Sequence, residues 1–76
     1  ADAVLEATEV FMKLSENPYK DITADTLAAH EKLVADAEAA LAALTEDQQI
    51  MLKANTEDNL MWRLQEAKER IEDLKD

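Results

Sequence analysis

No glycine occurs anywhere in this chain of 76 residues, and Pro18 is its single proline. Glycine is the residue that enters left-handed backbone without steric cost, so its absence removes tight primed hairpins and phosphate-cradling loops. Dinucleotide-binding and P-loop fingerprints, which need close backbone approach to a phosphate, are excluded on the same ground. No segment alternates apolar and polar residues as a half-buried strand does, so the chain is read as all-α.

A chain of this length has room for one domain, here residues 1–76, and buries only about 60–65 % of its unfolded surface. Aromatic residues are 4 % of it although 47 % is apolar, so the expected core is thin and a deep ligand cavity is not expected. Cysteine is absent, which rules out disulfides, thiolate nucleophiles and zinc–thiolate sites. Eighteen acidic residues against eight basic ones give a formal charge of −10, which repels nucleic-acid phosphates and anionic membranes and favours a basic or neutral protein partner. No apolar run approaches a membrane span, and no basic-then-apolar signal layout opens the chain. Starting at Ala1 without methionine, the sequence reads as excised from something longer.

Val4, Ala7, Phe11 and Leu14 recur at helical spacing, widened by Leu5 and Met12, and predict a first helix over about 2–16. Asn17-Pro18 stops it, and Tyr19-Lys20-Asp21 reads as a connection. A second helix over 24–44, capped by Asp21 or Thr23, carries a seam of Leu27, His30, Val34, Ala37, Leu41 and Leu44. Thr45-Glu46-Asp47-Gln48 matches a capping box and predicts a short helix over 46–54. Its Ile50, Met51 and Leu52 point about 100° apart, so they cannot all face one core. A kink near Asn55 then precedes a last helix over 57–75, whose seam is Leu60, Leu64, Ala67, Ile71 and Leu74. One continuous helix from Glu46 is the competing reading. The architecture predicted is an antiparallel three-helix bundle with a short extra helical turn or kink before the last helix. Glu66 and Arg70, four apart, read as a solvated surface pair.

Ile22-Thr23 before the second helix, Val34-Ala35 with Ala37 inside it, Leu44-Thr45-Glu46-Asp47-Gln48 at its end, and Glu66-Ala67 before Arg70-Ile71 carry a family resemblance. In that order they resemble a three-helix module of large Gram-positive cell-surface proteins and extracellular glycan-processing enzymes. The segment from Lys53 to Arg63 is longer and more apolar than in that module. The resemblance implies an extracellular spacer, adhesion or assembly element with no chemistry of its own. A scaffold of this kind engineered to carry a binding face fits the same features, given where the aromatic residues and methionines fall.

Chemistry has little to stand on. His30 is the sole histidine, so no His-rich metal site or Ser-His-Asp relay is available within one chain. It reads as a half-buried bundle histidine with one polar partner, or as a pH-sensitive contact if it meets a helix interface or a partner. Neither 21–25 nor 57–59 has the alternating oxygen ladder of a calcium loop. No paired carboxylates mark a cleft, so no catalytic residue, metal or cofactor is assigned.

Trp62 is the most informative residue, about 200° from the core stripe on the helical wheel and among Asp58, Asn59, Gln65, Glu66 and Glu69. Tryptophan in such a place is a hot-spot candidate for protein binding. Alternatively a rotated or kinked helix brings it over the core edge near Tyr19. Met61 flanks the seam, and Met51 and Ile50 approach the same end of the bundle, so Ile50, Met51, Met61 and Trp62 form the candidate partner-binding face. The expected function is a non-enzymatic protein-interaction module that is monomeric, with self-association left open. The alternative is a structural spacer without affinity of its own.

Overall fold

A computed structural model describes residues 2–76. It is all-α, with five helices and no strand among the described residues: α1 Ala3–Met12, α2 Pro18–Asp21, α3 Leu27–Ala42, α4 Glu46–Lys53 and α5 Leu60–Lys75. α1 packs against α3, α4 and α5, while α5 also packs against α3 and α2. The core draws on nearly every segment: Ala7, Phe11 and Leu14, then Ile22, Val34, Ala37, Leu44, Leu52, and the α5 row Leu60, Leu64, Ala67 and Ile71. Leu27, Leu41, Met61 and Leu74 lie at its edge, half-buried against it.

Helix boundaries follow from which local hydrogen bonds are available. α1 ends at Met12 rather than near Glu16, because Lys13 and Leu14 turn back onto the Val10 and Phe11 carbonyls in a tighter final turn. Pro18 does more than stop a helix. It occupies the first position of α2, where a missing amide costs nothing, so Tyr19-Lys20-Asp21 is helical and not a plain connection. Pro18 itself is buried, and Ile22 behind it is wholly so. α3 starts at Leu27, three residues later than the sequence predicts, because Thr26 Oγ1 accepts from the Thr23 amide at 2.9 Å and donates to the Asp21 carbonyl at 3.0 Å. That local bonding holds 23–26 as a turn in competition with helix.

At α4 the capping box closes as expected: the Gln48 amide donates to Thr45 Oγ1 at 3.2 Å, and the Thr45 amide donates to Gln48 Oε1 at 2.9 Å. The segment 54–59 separates α4 from α5, so 46–75 is two helices. Asn55 holds that segment by donating to Asp58 Oδ2 at 3.0 Å. Asn59 then adopts φ 52°, the single left-handed residue among those described, and α5 begins at Leu60 rather than Glu57. Asparagine tolerates this backbone better than any residue except glycine, which the chain lacks.

Helix C-termini leave carbonyls without partners, and the usual remedy is a left-handed glycine. Here long side chains donate instead. Gln49 Nε2 reaches the Leu41 and Leu44 carbonyls at the end of α3, at 3.1 and 3.3 Å. Arg70 Nε reaches the Ile22 carbonyl just past α2 at 3.1 Å. Arg63, the one buried charged residue among those described, is 5 % exposed and sends Nη1 to the Met12 and Leu14 carbonyls, both at 3.4 Å. Its Nη2 meets Glu16 Oε1 at 3.3 Å. Between α3 and α5 lie two exposed ion pairs, Lys68–Glu38 at 3.4 Å and Lys75–Glu31 at 2.8 Å, each worth at most about 1 kcal/mol.

Removing the guanidinium leaves the carbonyls at the end of α1 unsatisfied, whereas Glu16 is 83 % exposed in its side chain and already solvated. Arg63→Met is therefore expected to lower the unfolding free energy by about 2 kcal/mol, and Glu16→Gln by about 0.5 kcal/mol or less, in urea titrations. Equal losses would mean that the ion pair, and not the carbonyl contacts, is what Arg63 contributes.

Candidate interaction surface

The four residues predicted for a partner face lie on two elements, Ile50 and Met51 on α4 and Met61 and Trp62 on the first turn of α5. On α4, Leu52 is 1 % exposed while Ile50 and Met51 are 63 % and 61 % exposed, as the 100° step between neighbours requires. On α5, Leu60 and Arg63 turn inward, Met61 is half-buried against the core edge, and Trp62 is 47 % exposed. Large apolar side chains held in water at such fractions are the usual raw material of protein contacts.

Trp62 stands between two shallow surface concavities. One is polar, lined by Glu16, Glu57, Asp58, Asn59 and Arg63. The other is more apolar, lined by Leu60 and Met61 with Lys53, Asn55, Thr56 and Asn59. Met61 and Trp62 are thus brought together, with the last residue of α4 beside them. Ile50 and Met51 line neither concavity. Tyr19, the other neighbour considered for Trp62, lines neither one and packs instead with Arg70, whose guanidinium lies 5.8 Å from its ring centre.

Three sequence expectations need correcting. Leu5 and Met12 do not widen the core stripe of α1, since they are 63 % and 43 % exposed. Seven residues apart, they fall within about 20° of each other on the wheel and more than about 90° from Phe11, so the spacing itself places them outside. Arg70 does not pair with Glu66; its Nε is given to the Ile22 carbonyl and its charge to Tyr19. His30 is half-buried in the α3 stripe, and its side chain makes no hydrogen bond among the described residues, so the polar partner expected for it is missing.

Arg63 was not singled out by pattern, although a signal existed. It lies seven residues before Arg70, so both arginines occupy one side of α5 and both serve carbonyls of the 12–22 stretch. Glu66, Glu69 and Asp73 surround Tyr19 on the same helix. Partial desolvation of Glu66, and then the hydrogen bond and charge of Glu69, raise its carboxyl above the ordinary glutamate range, with the Tyr19 hydroxyl acting in the opposite sense. Tyr19 is likewise raised, by desolvation first and then by Glu66, Glu69 and Asp73, against the lowering effect of Arg70. Among the described residues, no group of three or more His, Asp or Glu side chains is arranged to hold a metal ion. Among the described residues, no helix is long and apolar enough to cross a membrane.

A carboxyl that holds its proton more tightly folded than unfolded contributes stability at acid pH, and that contribution is lost as pH rises through the folded value. Glu66→Gln is therefore expected to raise thermal stability at pH 7 and leave it unchanged at pH 4, flattening the profile between. An unchanged profile would remove Glu66 as a source of pH dependence. Comparison with protein-family models, with curated proteins and with solved structures gives no match to this chain.

Proposed function

We propose that this chain is a non-catalytic protein-interaction module: an antiparallel three-helix bundle of α1, α3 and α5, with α2 and α4 as short accessory helices. The pairing of Glu38 with Lys68 and of Glu31 with Lys75 supports opposite directions for α3 and α5, since the earlier residue of one helix meets the later residue of the other. Its partner face consists of Ile50, Met51, Met61 and Trp62. The observation that carries this reading is the exposure of Ile50, Met51 and Trp62 next to Leu52 and Leu60, which are sealed in the core. Ile50 and Met51 are neighbours on α4, and exposed methionine and tryptophan suit adaptable protein contacts.

The partner is a protein of basic or neutral surface, because a formal charge of −10 opposes an acidic one and disfavours nucleic acid. The same repulsion favours a monomer. In this role the chain would act as a module of extracellular Gram-positive proteins does, or as a scaffold derived from one, as the sequence resemblance implies.

Immobilised wild-type chain is expected to retain a partner from a protein extract, with retention falling as salt rises, whereas the Ile50→Ser/Met51→Ser/Trp62→Ser variant of equal helicity retains none. Identical retention by both would place the partner face elsewhere on the chain, and retention by neither would favour a spacer without affinity of its own.

A further inference from the structure

Trp62 divides its surroundings into an acidic notch and an apolar notch, and this division specifies more than a generic apolar patch would. On the acidic side, Glu16, Glu57 and Asp58 are set against one guanidinium, that of Arg63. Arg63 is committed: it is buried and bonded to Glu16 and to the end of α1. Asp58 accepts from Asn55, a neutral donor, which leaves its charge uncompensated. Glu57 is exposed and belongs to no ion pair among the described residues. An indole face beside surplus carboxylates attracts a cation twice, through the ring quadrupole and through charge. Guanidinium suits it best, being planar, weakly hydrated and able to stack on the ring while donating to a carboxylate. Across the indole, the half-buried Met61 offers the opposite chemistry, over a floor closed by the buried Leu60.

Resting on the protein-binding role proposed above, we infer that the Trp62 ridge reads a partner segment with an arginine beside an apolar residue. The guanidinium lies between the indole and the Glu57 and Asp58 carboxylates, and the apolar side chain packs on Met61 in the notch across the indole. Charge complementarity selects this occupant over a second copy of the chain, which would bring a further net charge of −10 to the contact.

The probes are three synthetic peptides: one alternating arginine and leucine, one with glutamate for arginine, and one with serine for leucine. Binding is followed through the indole N–H NMR signal of Trp62, the sole tryptophan. The arginine–leucine peptide is expected to shift that signal to saturation, the glutamate peptide to leave it in place, and the serine peptide to bind about tenfold more weakly. Glu57→Lys, at an exposed position outside every helix, is expected to weaken the arginine–leucine peptide about tenfold with helicity unchanged. Equal binding of the arginine–leucine and serine peptides would overturn the inference as mere adsorption of cations, and unchanged affinity in Glu57→Lys would overturn the acidic notch. If the immobilised chain retains a partner that the triple serine variant loses while all three peptides stay inert, the inference falls and the protein-binding role stands.

Discussion

The guanidinium of Arg63 is the contact on which the arrangement of this small protein turns. It carries a charge into the interior, where charge is costly, and offsets that cost by satisfying the Met12 and Leu14 carbonyls that the end of α1 leaves open. A chain without glycine has few other ways to close a helix. Gln49 at the end of α3 and Arg70 at the end of α2 repeat the solution, so three of the connections are closed by side chains from later in the sequence. Helix ends are therefore tied to tertiary structure, and the connections depend on α4 and α5 being docked.

Fixing Arg63 inward also fixes the rotation of α5. Leu60, Leu64, Ala67 and Ile71 form the buried row, Arg63 lies at its margin over α1, and the 100° step from Arg63 to Trp62 carries the indole toward water. Asn59 sets where this helix can begin, because its left-handed backbone ends the 55–58 turn and leaves Glu57 and Asp58 ahead of the first helical turn beside Trp62. The exposure of Trp62 is thus a consequence of how α5 is anchored, and an acidic rim next to an exposed aromatic ring follows from the same geometry.

Much of this was legible in the sequence, and the failures have identifiable causes. The seams of α3 and α5 and the capping box at Thr45 rest on periodicity and on short-range donor–acceptor spacing, which need no tertiary information. The helical step shows that Ile50, Met51 and Leu52 cannot all be buried, but leaves open which of them faces water and whether Trp62 does. What periodicity missed was decided by competition or by distance. Thr26 diverted the backbone at 23–26 into a turn, and Pro18 opened a helix where only its helix-stopping side was considered. Arg70 reads as a surface charge and Arg63 is not singled out at all, because their acceptors lie 48 to 51 residues away, beyond any local pattern. Leu5 and Met12 were assigned inward by hydrophobicity although their wheel positions already pointed out.

Arg63 anchors α5 in a rotation that leaves Trp62 in water, and the proposed protein-binding role rests on that exposure. The most direct measurement is the emission of this single tryptophan and its quenching by acrylamide, on a sample shown by sizing to be monomeric. Red-shifted, readily quenched emission is the predicted result. Blue-shifted emission protected from quencher would place Trp62 in the core, contradict the rotation of α5 and leave the chain without the face on which its proposed role depends.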